Sequence, residues 1–480
     1  MVAFLCAQTQ VIDKNAVHEL FISIQRRAVG DHSVNVTIVI LLLAMFAKDL
    51  SHINDPYNLM RGFSQGLALL VGLFWMSGHF NATLLRKYWP IFGYLFVSFI
   101  SGLFSPFKET ALIQTASLVA VLFFAIAYFE SQSRKPGDPT TLYLNTVTLV
   151  YTGACFIGLL MIKLDHSVAY AIIGNWVTDP AAAIRYRGIF PISGMLGAGS
   201  GLLFGIVLFR RGKWWWRAPA LTAGFVSLAL TQSRTFWVAT FVASILIGWI
   251  YTPRHRKLFA AATVAALIAV AMVEVLGLHV NTHGIREDAR VGSLDNLTGR
   301  IPLWEHTIKA FSYHPFIGYG STLGSYALAY GGHTSTIVDS VNRTARSLST
   351  ETTHDGYFQT MLDLGVFGLF FYVAIFSTAI RRMYLRDKLR QYPAIGYIVV
   401  FMAVGNLAES IVYSAGVSHA IVFWIAVVFA LHRFAPGVAT PVRNKKLVYN
   451  ETGRSARNNA ILDSRKRKLI RPVIRSGSDN

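Results

Sequence analysis

Charge is what this chain lacks. Only 14% of its 480 residues are Asp, Glu, Lys or Arg, while 53% are hydrophobic and the mean hydropathy is +0.45. A soluble domain carries about 25% charged residues, so the composition excludes an ordinary soluble globule and predicts a protein dissolved in a bilayer. Cysteine is nearly missing too. Cys6 and Cys155 stand alone, one in a tail and one in an apolar run, which leaves neither a disulfide framework nor a zinc cluster and makes redox chemistry unexpected. The chain also has no GxxxxGK[ST] phosphate loop, no HExxH, and no pair of aspartates two apart that would hold a metal-bound nucleotide sugar. Nucleotide- and metal-driven mechanisms lose most of their support, and no cofactor or metal is expected.

What the chain has in place of charge is long apolar windows. A spanning helix needs about 20 such residues, and windows of this kind fall near 33–50, 62–80, 88–105, 110–129, 142–162, 191–209, 218–232, 236–251, 257–277, 358–380, 393–413 and 417–433. The expected fold class is all-α: a polytopic membrane protein with about 12 transmembrane helices and one large outside loop that contains helices of its own. The opening "VAFLCA" is too short for the apolar region of a cleavable signal and has no basic stretch before it, so the first span is expected to act as its own signal.

The net charge of +20 is distributed unevenly. With both termini inside, the cytoplasmic segments hold 31 of the 44 Lys and Arg residues and the outside segments 13, as the positive-inside rule requires. The expected organisation is a cytoplasmic segment 1–32, spans one to nine over 33–277, an outside loop 278–357, spans ten to twelve over 358–433, and a basic cytoplasmic tail 434–480. A polybasic tail beside a membrane is drawn to anionic lipid head groups. It lacks the aromatic residues that would stack on bases, so nucleic acid is not an expected partner.

Two patterns predict packing. In "GMLGAGSGLLFG" the residues Gly197, Gly201 and Gly205 recur every four positions, a smooth face for close helix contact. In "TGRIPLWEHTIKAFSYHP" the spacing of Ile301, Trp304, Ile308 and Phe311 predicts an amphipathic helix, begun at Pro302 and stopped by Pro315, lying on the bilayer or roofing the bundle. "GYGSTLGSY" follows that helix end with no strand before it and reads as a turn, not a dinucleotide loop.

The candidate chemistry lies in outside cations, which the charge rule makes least expected. Arg185 and Arg187 in "RYRGIF", Arg234 in "TQSRTFWVA" and Arg300 in "TGRIPLW" qualify. Any one of them also reads as a snorkelling arginine paired with lipid phosphate, but several guanidinium forks converging on one cavity would bind a diphosphate. His354 stands where the tenth window enters the membrane, either as a structural histidine or as a base. Imidazole can take a proton from a hydroxyl near neutral pH, and Asp355 or Asp363 could orient it.

Together these residues resemble the O-antigen ligase and polysaccharide polymerase (Wzy-type) family of bacterial membrane glycosyltransferases. The family's signature is a histidine, a small polar residue, nine residues, then Gly-x-x-Gly, and here His354 and Asp355 are followed at that spacing by Gly365 and Gly368. Asp355 departs from the usual asparagine, serine or glutamine. "LTQSR", ending at Arg234, resembles the family's membrane arginine motif, and "TGRIPLWEHTIKAFSYHPFIGYG" its loop segment with Arg, Trp and Pro-x-x-Gly. "RGIFPISGMLG" resembles a stretch common in exopolysaccharide polymerases, with Ile192, Ser193 and Gly194 where those carry a histidine, lysine and asparagine. The likeness runs from about Arg187 to Phe376.

The resemblance implies a metal-independent, inverting transfer of a polyprenyl-diphosphate-linked oligosaccharide to an acceptor hydroxyl, on the periplasmic side of the bacterial inner membrane. Arg187, Arg234 and Arg300 would hold the leaving diphosphate and His354 would deprotonate the acceptor, with Asp355 and Asp363 in support. Polymerisation of exopolysaccharide repeat units is the first expectation, transfer of O-antigen to lipid A-core the second, and a lipid-linked glycan flippase or other transporter a third. Other polysaccharide export proteins are candidate partners.

Overall fold

A computed structural model describes residues 31–50, 56–133, 138–173, 183–210, 214–251, 300–324, 353–385, 391–412 and 416–432. The chain divides into two units, residues 1–132 with 139–432 and residues 133–138 with 433–480. All but the ends of the short segment of the second unit, and so the whole basic tail, lie outside the described residues.

The first unit is a helical bundle. Its helices are α1 (Asp31–Leu50), α2 (Pro56–His79), α3 (Ala82–Lys87), α4 (Trp89–Phe104), α5 (Lys108–Gln132), α6 (Thr141–Leu164), α7 (His166–Ala169), α8 (Ser193–Phe209), α9 (Trp214–Leu230), α10 (Arg234–Tyr251), α11 (Arg300–Phe311), α12 (Gly356–Leu385), α13 (Pro393–Gly405) and α14 (Ser418–Leu431). Eleven of the twelve predicted windows coincide with these helices. The ninth, 257–277, lies outside the described residues, as does most of the loop 278–357.

Among the described residues four helices, α5, α6, α10 and α12, are long and apolar enough to cross a membrane by length and composition, and six shorter apolar helices accompany them. The fold is that of a mainly helical membrane protein. Large apolar side chains such as Phe63, Leu70, Phe96, Phe104 and Leu149 stand exposed, as a lipid-facing surface requires.

The glycine stripe of α8 packs as expected. A Cβ at Gly197 would meet Phe236, one at Gly201 would meet Phe401 and Thr240, and one at Gly205 would collide with the Tyr397 ring. Tyr397 also donates its hydroxyl hydrogen to the Gly201 carbonyl at 2.8 Å. The core of the bundle is α14, buried along its whole length, with Trp424 and Phe423 ringed by Tyr94, Tyr372 and Phe376.

Three features depart from the sequence reading. Two short strands, β1 (Tyr170–Ile173) and β2 (Ala183–Tyr186), pair antiparallel with Tyr170 opposite Tyr186. The window 393–413 is no single helix: α13 stops at Gly405, and Asn406 turns the chain by donating its amide to the Met402 carbonyl and accepting the Ile411 amide on Oδ1. Glu409, expected inside a span, therefore sits in that turn. In α11 the buried face is Thr307 and Ala310 with Trp304 and Phe311 half-buried beside them, whereas Ile308 is 53% exposed.

Candidate functional site

Helices α8, α10, α12 and α14 begin, and α4, α6 and α13 end, at the same end of the bundle. Ser418 at the start of α14 bonds Tyr151 of α6 and takes Asp49 of α1 as its backbone cap. The Gly356 amide opening α12 donates to the Asn406 carbonyl closing α13 at 2.8 Å. Every candidate residue of the sequence except Asp363 stands at or beyond these helix ends.

His354 has φ +50, a left-handed conformation that costs a non-glycine residue about 1–2 kcal/mol. Its neighbours hold it there. Thr353 is fully buried and donates its hydroxyl hydrogen to the Asp355 carbonyl at 2.6 Å. Its amide donates to Gln359 Oε1 at 3.3 Å, and its carbonyl accepts the Trp304 indole hydrogen at 3.1 Å. Asp355 does not face inward as an orienting acid: its Oδ1 accepts the Tyr357 and Phe358 amides at 2.8 and 2.9 Å, the side-chain cap of α12.

The imidazole is 48% exposed, and Nδ1 lies 3.2 Å from Glu409 Oε2. Sequence reasoning missed this partner. The two segments run side by side, Gly356 bonded to Asn406, Thr353 in hydrogen-bond contact with Ser410 at 3.2 Å, and His354 paired with Glu409 between them. A carboxylate on Nδ1 fixes the proton there and leaves Nε2 as the acceptor. Among the described residues Nε2 has no hydrogen-bond partner.

Asp363 is buried two turns into α12. Its Oδ1 accepts the Gly324 amide at 2.7 Å and the Gln359 side-chain amide at 3.0 Å. At the next two positions the helix opens: Gly365 has φ +68, where a Cβ would strike the Phe316 carbonyl. The turn after α11 fills the gap, pairing Val366 N with Pro315 O, Tyr319 N with Leu362 O, and Gly320 N with Asp363 O. "GYGSTLGSY" is thus a turn up to Gly324, with residues 325–326 outside the described residues.

The arginines approach the same end by different routes. Arg234 is the first residue of α10 and is exposed; the first turn of α10 lies against α8 through Gly197 and against α13 through Phe236 and Phe401. Arg300 is the first residue of α11, four residues before Trp304, which also packs on Phe358 with ring centroids 5.7 Å apart. One helical turn therefore separates position 300 from a side chain bonded to the residue before His354.

Arg187 is employed otherwise. Its Nε donates to Val168 O at 3.0 Å, Nη1 to Pro191 O at 3.3 Å and Nη2 to Ser167 O at 3.2 Å, staples that close the segment between α7 and α8. Two of its five N–H donors remain for a ligand. Arg185 lies in β2 opposite Ala171.

The arrangement sets an exposed imidazole, held by Glu409, at the end of the bundle where α10 and α11 begin, and helix N-termini suit an anion. Residues 219–373, about a third of the chain, match the family model of O-antigen ligase. No curated protein matches the chain. The match spans α10, α11, His354 and the Gly365–Gly368 kink, three of the stretches that carry the resemblance; Arg187 and "RGIFPISGMLG" lie outside it.

Proposed function

We propose that this chain, whose residues 219–373 match the family model of O-antigen ligase, is a metal-independent, inverting glycosyltransferase of the bacterial inner membrane. It transfers a polyprenyl-diphosphate-linked glycan to an acceptor hydroxyl on the periplasmic side. The proposal includes about twelve spans, cytoplasmic termini, the periplasmic loop 278–357, and a basic tail held to anionic head groups. The observation that carries it is the exposed His354 imidazole, bound through Nδ1 to Glu409 at the bundle end where Arg234 and Arg300 open their helices.

In the reaction, His354 Nε2 takes the proton of the acceptor hydroxyl as its oxygen attacks the anomeric carbon. The bond from that carbon to the diphosphate oxygen breaks, and the polyprenyl diphosphate leaves with the electron pair. Attack from the opposite face inverts the anomeric centre. Arg234 and Arg300, with the remaining donors of Arg187, neutralise the leaving charge; each such donor is worth about 3–4 kcal/mol in comparable oxyanion sites. Asp363 and Asp355 support the site through backbone geometry, and Glu409 takes the orienting role first expected of them.

Polymerisation of exopolysaccharide repeat units is our first reading, supported by "RYRGIF…LG". Transfer of O-antigen to lipid A-core is the second, favoured by the family description matched. The decisive test is purified protein in vesicles given a lipid-linked repeat unit, without nucleotide and with a chelator. Longer glycans support the polymerase; no growth in length, but transfer to added lipid A-core, supports the ligase. Movement of the lipid across the bilayer without a new glycosidic bond would sink both.

A further inference from the structure

We infer that Gln359 and Asp363 form a buried rail that positions His354 and the Arg300-bearing helix relative to each other; this rests on the proposed role of His354 as base. Gln359 is fully buried and bonds in both directions. Its Oε1 accepts the amide of Thr353, the residue directly before the left-handed His354, and its Nε2 donates to Asp363 Oδ1. The same Oδ1 accepts the Gly324 amide, and the Thr322 amide also bonds the Asp363 carboxylate. The Asp363 carbonyl accepts the Gly320 amide and the Ser101 hydroxyl hydrogen.

These bonds run from the strained backbone of the base, through two side chains one helical turn apart, into the turn 312–324 that follows α11 without a break. Trp304 closes the loop by returning from α11 to the Thr353 carbonyl. The segment carrying the anion-binding position and the segment carrying the base are therefore joined through the Asp363 carboxylate in addition to the backbone bonds of the turn. All donors to that oxygen are neutral amides, so its task here needs an acceptor of the right shape. A charge at this position is not required by the contacts.

The experiment measures polymer or transfer turnover of the full chain in vesicles with a lipid-linked repeat unit. Gln359→Met keeps the volume and removes both bonds; it should lower kcat at least tenfold with KM for the lipid-linked donor within twofold. Asp363→Asn keeps the Oδ1 acceptor and should hold kcat within threefold of the parent. Combined with His354→Ala, Gln359→Met should add less than a twofold further loss, because a base that is gone cannot be mispositioned.

A folded Gln359→Met with parental kcat, a change confined to KM, a tenfold loss in Asp363→Asn, or a multiplicative loss in the His354→Ala background each overturns the rail. Parental turnover in His354→Ala alone overturns the base itself, and it is recognised without touching Gln359.

Discussion

A neutral imidazole that donates from Nδ1 to a carboxylate presents its lone pair on Nε2, so in the proposed mechanism His354 depends on Glu409 for its tautomer and for stabilisation of the imidazolium that forms. His354→Ala is expected to lower kcat by about 10²- to 10⁴-fold, the usual range for a lost general base, with little change in donor KM. Glu409→Ala should follow it with a loss of at least about tenfold in kcat. Parental kinetics in Glu409→Ala would remove that residue from the mechanism. His354 was singled out by its spacing to Gly365 and Gly368, whereas its contact with Glu409 left no signal in the sequence. Glu409 lies far downstream, in an apolar window that read as one membrane helix. The adjacent Asp355 seemed the natural partner, yet successive residues at a helix start point in different directions, and Asp355 turns to its own helix's amides.

Helices were readable from the sequence because a bilayer demands runs of about 20 apolar residues, and such runs are hard to mistake. The breaks within them were not. The kink in α12 falls inside the apolar run 358–380, and only the backbone of the turn 315–320, filling the opened helix, reveals why glycine stands at 365. Gly365→Ala combines a left-handed φ of 68° with a collision against the Phe316 carbonyl. It should destabilise the protein by about 1–3 kcal/mol, read as a lower unfolding midpoint in detergent; an unchanged midpoint would mean the kink is not under tension. The strand pair β1–β2 was missed because two four-residue strands carry too little pattern to register.

The same turn holds His314, whose ring packs on Tyr319 with centroids 4.5 Å apart. Burial lowers its pKa below the ordinary histidine range. The folded state then favours the neutral ring, so its contribution is present above the unfolded pKa of about 6.5 and is lost as the pH falls below it. On shifting from pH 8 to pH 5, the thermal midpoint of His314→Gln should drop less than the parent's. An equal drop would place the acid sensitivity elsewhere.

Across the whole bundle, the ends opposite His354 are gathered by a different kind of chemistry. Lys87 pairs with Glu130 at 2.5 Å, His432 lies within 3.1 Å of both, and Arg382 donates to the Lys87 and Leu431 carbonyls at 2.6 and 2.8 Å. Ion pairs are sustained at helix ends near water and costly at the bilayer centre, so the proposed topology puts this cluster at one membrane surface and His354 at the other. In the proposed orientation, which follows the charge count, that cluster faces the cytoplasm and His354 the outside. Single cysteines test the orientation in a Cys6→Ser, Cys155→Ser background. Leu407→Cys, in the turn beside Glu409, and Tyr384→Cys, near Arg382, are expected at positions 56% and 63% exposed. On intact spheroplasts a membrane-impermeant maleimide should label Leu407→Cys and spare Tyr384→Cys until the membrane is opened. The reverse pattern would put the base in the cytosol and remove periplasmic transfer altogether, whatever the geometry of His354 and Glu409.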